Sequence, residues 1–412
     1  MSDHNVFSQA VRQCIHHALQ LAALACLLLL LAACSSKKEQ PATPQMRRTV
    51  IVYMVADNNL EYFASADINE MRSAAKTIPA GCQLILYVDD TKAPRIIEFN
   101  AQQGMVEHER MEECNSASPS VMRQQLQSII HQYPSEHYAL VLWSHGSGWI
   151  PPAPSASAKS SPRQAPRRSI FIDNSWQKGD EDSDEMSIPD LRAVLEQLSV
   201  KHWDYILFDA CHMQCVESDY ELRHLTDYII ASPAEIPATG APYHAIMPAL
   251  MQDDNAAFAI AQTYHDAATE PAMLSVVRTD QLEALLQTTR RLIPDLYDRT
   301  STLATHTIQA YGPLAKASRW RPEYHDMASA LNTMLDSEAF SQWRTEMEKA
   351  VVLALPTPKW NTAFGMTGFV PVITDPDHLA LVSIFLPHPK YDEHSSYNED
   401  IRQTEWYQAY HN

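Results

Sequence analysis

The apolar positions of this chain fall into short blocks with two rhythms. Arg48–Ala56, Cys82–Val88, Tyr138–Trp143 and Asp204–Cys211 are brief apolar runs bounded by polar residues. Runs of that length read as buried strands. Between them the spacing widens to that of helices, over Leu60–Lys76, Ser118–His131 and Ser187–Leu198. Asp57-Asn58-Asn59, Ser118-Pro119 and Ser187-Ile188-Pro189 stand where helices start, since short polar side chains cap free N–H groups and proline suits a first turn. Arg95–Asn100 and Met105–Glu109, either side of Gly104, suggest a small hairpin.

Past Cys211 the alternation continues. Val216–Leu225 predicts a helix, Asp227–Ala231 a strand, Ala245–Met251 and Ala256–Ala268 two helices, and Met273–Val277 another strand. Strands alternating with helices predict an α/β fold, an open and mostly parallel sheet with helices on both faces. From Asp280 the pattern turns mostly helical through Leu335 and Met347, with late strands at Phe369–Ile373 and Leu381–Leu386. Residues 281–412 therefore read as a largely helical C-terminal extension or subdomain on an α/β body spanning 49–280. No internal repeat is visible.

Two segments stand apart. Arg12, His16 and His17 precede an apolar stretch from Leu19 to Ala33 broken only by Gln20. It is short for a membrane span and right for the apolar core of a signal peptide. It ends in Leu31-Ala32-Ala33-Cys34, which resembles the bacterial lipobox. That resemblance implies a lipoprotein signal over 1–33, acylation of Cys34, and a polar tether over 34–48 holding the protein to the bacterial cell envelope. The second segment, 151–168, is rich in Pro, Ser and Ala and carries Lys159, Arg163, Arg167 and Arg168. It cannot bury enough apolar surface to order itself and reads as a mobile loop.

Composition narrows the class. With 412 residues and 45% hydrophobic content, the chain has enough apolar material for a large core. A formal charge of −19 repels a phosphate backbone, so no nucleic-acid partner is expected. Of seven cysteines, Cys82, Cys114, Cys211 and Cys215 belong to the folded body. So few in so long a chain make no disulfide framework, and no zinc-type spacing occurs. Cys215 stands four residues after Cys211, one helical turn on, within reach of an oxidised Cys211.

The candidate chemistry sits at two strand ends. Tyr138–Trp143 runs into Ser144-His145-Gly146, and Asp204–Phe208 runs into Asp209-Ala210-Cys211. Delivering a His and a Cys to one rim is what a thiol nucleophile and its acid–base partner need. Gly146 lets the backbone approach a ligand closely. Its N–H and that of Cys211 form a candidate donor pair for an oxyanion. A helix starting after Cys211 is expected to lower the thiol pKa.

Four segments together resemble the clostripain family of cysteine peptidases, which share the fold of the caspases. They are Tyr53-Met54-Val55-Ala56-Asp57-Asn58-Asn59-Leu60-Glu61, Trp143-Ser144-His145-Gly146-Ser147-Gly148-Trp149, Asp209-Ala210-Cys211-His212-Met213 with Glu217, and Ala231-Ser232-Pro233-Ala234-Glu235-Ile236-Pro237. The resemblance implies a caspase-like sheet, with Cys211 as nucleophile and His145 as acid–base partner. It implies that Asp209 lies in the S1 pocket and reads an Arg or Lys at P1. An acid two residues before the nucleophile does point to the same side of a strand. Family members are commonly activated by cutting themselves between the His and Cys strands, which makes Lys159, Arg163, Arg167 and Arg168 the candidate sites here. Gln214 and Cys215 depart from the small residues usual after the family's cysteine, and 237–240 follows its substrate-groove loop loosely.

The expectation is thus an exported, lipid-anchored cysteine endopeptidase, a monomer, acting on peptides or proteins with a basic P1 residue. The chemistry requires no cofactor. Some relatives depend on calcium, and the acids from Asp180 to Glu185 match no calcium loop, so the metal site is left unknown. The competing reading is an inactive lipoprotein that uses the same fold as a binding or scaffolding module.

Overall fold

The computed structural model describes residues 46–150, 170–173, 185–312, 324–361, 369–371, 379–392 and 395–412. Nine strands make the main sheet: β1 (Met46–Val55), β2 (Cys82–Asp89), β3 (Arg95–Asn100), β4 (Gly104–Glu107), β5 (Ser135–Trp143), β6 (Ile206–Asp209), β7 (Tyr228–Ala231), β8 (Leu274–Arg278) and β9 (Val351–Leu355). Their spatial order is β9-β8-β7-β6-β5-β1-β2-β3-β4. The strands from β2 through β1, β5 and β6 to β7 run parallel. The flanking pairs β2–β3, β3–β4, β7–β8 and β8–β9 are antiparallel.

The central strands are apolar at nearly every position because both faces are covered. Val50, Val52, Met54, Val141 and Leu207 face one layer, which contains α1 (Glu61–Ala74), α5 (Tyr243–Leu250) and α6 (Ala256–Ala267). Ile51, Tyr53, Val55, Leu142 and Phe208 face the other, with α2 (Pro119–Gln132) and α3 (Ile188–Gln197). This strict alternation is the period-2 consequence of the pleat. Each fully buried aliphatic side chain contributes about 1.5–3 kcal/mol. Ser187 caps α3 as its position suggests, accepting from the Asp190 N–H at 3.1 Å.

Three elements differ from the expectation. The cysteine strand is shorter: β6 ends at Asp209, and Cys211 lies in the turn beyond it. Next, α4 starts at Val216 as expected but ends at Leu222 rather than Leu225, and Cys211 lies in a turn outside it, so no helical turn joins Cys211 to Cys215. Finally, β9 lies within what reads as helical sequence; Val351–Leu355 pairs antiparallel with β8. Its Val-rich run directly follows the helix Ser337–Ala350, which masks it in the periodicity.

The described residues form one compact unit. Residues after 280 complete it: Trp343, Trp406 and Met327 pack with Val216 and Tyr220 of α4 in a third core cluster. A two-stranded pairing of Ser383–Ile384 with His325–Asp326 lies beside the cysteine turn, and Cys215 bridges to Ser383.

Candidate active site

The rim of the sheet is set by register. Met54 of β1 pairs with Trp143 of β5, and Trp143 pairs with Asp209 of β6, so these strands end side by side. Past β5, the Ser144 hydroxyl donates to the Val55 carbonyl at 2.8 Å. His145 then meets the loop after β1: its Nε2 lies 2.6 Å from Asn59 Oδ1. That oxygen accepts, so Nε2 donates the proton between them. The loop bearing Asn59 is itself fixed. Asn58 donates to the carbonyls of Val55 at 3.1 Å and Ile172 at 2.7 Å, and accepts from the Leu60 N–H at 2.8 Å.

Cys211 is held in its turn by the neighbouring strand end. His212 N–H donates to the Ala234 carbonyl at 2.9 Å, Gln214 N–H to the Ser232 carbonyl at 3.0 Å, and Ile236 N–H to the Cys211 sulfur at 3.4 Å. The His and Cys loops touch at Gly146. A Cβ there would lie 2.7 Å from the Cys211 carbonyl oxygen, 2.8 Å from Met213 Sδ and 3.0 Å from Ala210 Cβ. Only glycine admits that approach.

The thiol is not activated at rest. Burial pushes the Cys211 pKa up to about 12, reinforced by the Glu235 carboxylate, and the Ile236 N–H offsets only part of this. The expected lowering is absent: Cys211 lies in a turn and not at the first turn of α4, and burial dominates the thiol. Cys211 nevertheless retains some exposure, whereas Cys215 is buried with its thiol 3.1 Å from the Ser218 hydroxyl.

Asp209 points to the α5/α6 side beneath the loop after β7. Its carboxylate accepts from the Ala241 N–H at 3.0 and 3.1 Å, from Tyr243 OH at 3.0 Å and from Tyr264 OH at 3.0 Å. Burial raises its pKa to about 6. A second carboxylate, Asp67 of α1, is raised to about 9 by burial and by the charge of Asp209, and its Oδ2 accepts from Trp143 Nε1 at 2.8 Å. The two acids flank Gly240: a Cβ there would lie 3.0 Å from Asp209 Oδ2 and 3.2 Å from Asp67 Oδ2. The Gly240–Ala241 backbone therefore seals both acids from above.

Sequence reasoning missed Asn59 as the residue that orients His145, although it lies in a motif singled out for family likeness. It also missed Asp67, Tyr243 and Tyr264, for which no local signal exists. Lys159, Arg163, Arg167, Arg168 and Cys34, and the acids from Asp180 to Asp184, lie outside the described residues. Among the described residues, no group of three His, Cys, Asp or Glu side chains is placed to hold a metal, and no helix is long and apolar enough to cross a membrane.

Known proteins resemble this chain in sequence and fold. A family model described as the clostripain family matches residues 52–411. Clostripain from Hathewaya histolytica is 28% identical over 228 residues, 48% of this chain and 41% of that protein, so the match spans less than half of that relative's length. The X-ray structure of a secreted cysteine protease from Bacteroides thetaiotaomicron, in complex with an irreversible peptide inhibitor, is 28% identical with a TM-score of 0.73. It matches over 88% of this chain and 98% of that one. An inactive zymogen protease from Parabacteroides distasonis is 26% identical with a TM-score of 0.74, over 90% and 100% of the two chains.

Proposed function

The chain belongs to the clostripain family, and on that premise we propose that it is a cysteine endopeptidase with Cys211 as nucleophile and His145 as its acid–base partner. The observation that carries the reading is the contact of the two loops at Gly146, where no side chain fits between the His145 segment and the Cys211 turn. Asn59 holds Nε2–H, and Nδ1 takes the thiol proton. Because the resting thiol is neutral, proton and sulfur move in one step: the S–C bond forms as the S–H proton passes to His145. The carbonyl pair shifts to oxygen, toward the N–H groups of Gly146 and Cys211. Collapse of that intermediate breaks the C–N bond, and His145 hands its proton to the leaving amine. His145 then takes a proton from water, whose oxygen displaces the thiol from the thioester.

Asp209 selects a basic P1 residue, Arg or Lys. Support comes from its place on the same rim as Cys211, and from a pKa of about 6 that leaves it charged at neutral pH. Its donors already fill it, so reading a P1 cation requires Gly240–Ala241 to lift. The sealed acid and neutral thiol suit an uncut chain at rest, activated by self-cleavage at Lys159, Arg163, Arg167 or Arg168. A relative described as an inactive zymogen supports that part. Lipid on Cys34 holds the enzyme to the bacterial envelope, which the secreted relative supports as an extracytoplasmic location. The chemistry as written uses no metal.

The test is a soluble form beginning after Cys34, offered Arg-, Lys- and Asp-terminated reporter peptides beside a Cys211→Ala control. Cleavage after Arg and Lys alone, abolished in the control, is the expected result. No cleavage of any reporter, with or without calcium, overturns the reading in favour of a scaffold. Mass analysis of the active preparation tests processing, and a wholly intact chain removes it.

A further inference from the structure

The C-terminal part of the chain sends one side chain onto both catalytic loops. The ring of Tyr324 stacks on His212, the residue after the nucleophile, with centroids 4.3 Å apart and planes 5° from parallel. Its hydroxyl donates to the carbonyl of Ser147, two residues after His145, at 2.8 Å. Between the two contacts sits Gly148, where a Cβ would lie 2.8 Å from the His212 carbonyl oxygen, 2.9 Å from Cys215 Sγ and 3.5 Å from Tyr324 Cε1. Tyr324 is buried and its carbonyl accepts from the Tyr311 N–H at 3.0 Å, so the ring is anchored from behind.

The backbone under this ring needs holding. His212 sits at φ +60° and Gly148 at φ +64°, both in the left-handed region. For a histidine that conformation is disfavoured and persists where the surroundings over-determine it. Here its N–H donates to Ala234, its Nδ1 donates to the Pro233 carbonyl at 3.2 Å, and its Nε2 lies 3.8 Å from Glu235. Tyr324 supplies the remaining face. The Cys211 N–H belongs to the 210–211 peptide and the Gly146 N–H to the 145–146 peptide, so a grip on His212 and on the Ser147 carbonyl holds the chain just beyond each donor and limits how each can turn.

We propose that Tyr324 is a positioning residue for catalysis: by clamping His212 and Ser147 together it fixes the separation of the two oxyanion donors. The role rests on the assignment of His145 and Cys211 as the catalytic pair. It gives residues beyond 280 a part in the chemistry without contact with substrate. Its effect falls on the transition state, where the donors must meet a developing charge, and not on ground-state binding.

The experiment uses the full protein with Tyr324→Phe, Tyr324→Ala and Cys211→Ala. Competent sites are counted with an irreversible thiol-directed peptide inhibitor, and kcat and KM are then measured per counted site on a peptide amide. Tyr324→Ala is expected to lower kcat per site roughly a hundredfold, as misplacement of reacting groups by about 1 Å does, with KM unchanged. Tyr324→Phe keeps the stack and loses the hydrogen bond, so it recovers most of the loss and stays about tenfold below wild type. A purely structural role would lower the number of competent sites and leave kcat per site at the wild-type value, and that result overturns the proposal. If Tyr324→Ala does not fold, Tyr324→Phe decides by the same criterion. Activity surviving in Cys211→Ala defeats the nucleophile assignment itself, and this inference with it.

Discussion

His145 and Asn59, which stand in different loops of the sheet rim, face each other at 2.6 Å between Nε2 and Oδ1. Orientation of an imidazole by a neutral amide sets its tautomer without adding charge. Asn59→Ala should therefore lower kcat about tenfold, the value of one hydrogen bond, while the fold is retained. Asn59→Asp keeps an acceptor and favours the imidazolium, so the acid limb of the pH profile of kcat/KM should move up. Steady-state kinetics across pH check both, and wild-type rates in Asn59→Ala would remove Asn59 from the site.

Gly146→Ala tests the contact between the loops. The new methyl would sit 2.7 Å from a backbone oxygen, that of Cys211, which has no flexible side chain to yield. A shift of the two loops by about 1 Å should lower kcat/KM roughly a hundredfold. Circular dichroism should show the same secondary structure. Near-wild-type activity would mean that the loops need not meet this closely.

A thiol with a pKa near 12 alkylates slowly at neutral pH. The thiolate is the reactive form, so the rate of Cys211 labelling by iodoacetamide in the uncut chain should climb steadily with pH. Peptide mapping by mass spectrometry separates Cys211 from Cys114, the other partly exposed thiol described. A plateau already reached near pH 8 would show a thiolate at rest, contrary to the burial seen here.

Several buried acids link stability to pH. Burial first, then neighbouring charge, raises Asp67 and Asp89 to about 9, and burial raises Glu217 to about 7. An unfolded carboxyl titrates near its ordinary value, so between that value and the folded one the folded chain holds more protons. Stability must then fall as pH rises through that window. The melting temperature should drop between about pH 6 and pH 9, and Asp67→Asn, which keeps an acceptor for Trp143, should flatten that drop. A melting temperature that rises with pH would contradict the protonated state of these acids.

The elements were legible wherever burial acted on both faces of one segment. β1, β2 and β5 are nearly continuous apolar runs because helices cover each side, and such runs need no partner to be recognised. The rim position of His145, Gly146, Asp209 and Cys211 was legible for a related reason: each apolar run ends abruptly on polar side chains, and the register of β5 with β6 sets those ends side by side. β9 was hidden because Val351–Leu355 continues a helix without punctuation, and only pairing with β8 makes it a strand. Asn59 was visible as a loop residue but not as the partner of His145, since nothing local specifies that contact.

By itself, the sequence determined the strand and helix order through 280, the delivery of His145 and Cys211 to one rim of the sheet, and the family. Those properties are written in local periodicity and short motifs. Tertiary structure alone decided the state of the groups. The thiol is neutral because protein and Glu235 surround it, Asp209 is sealed because Ala241, Tyr243 and Tyr264 converge on it, and Tyr324 reaches the loops of His145 and Cys211 from beyond residue 280. Charge state and position are sums over neighbours distant in sequence, and only the folded chain brings those neighbours together.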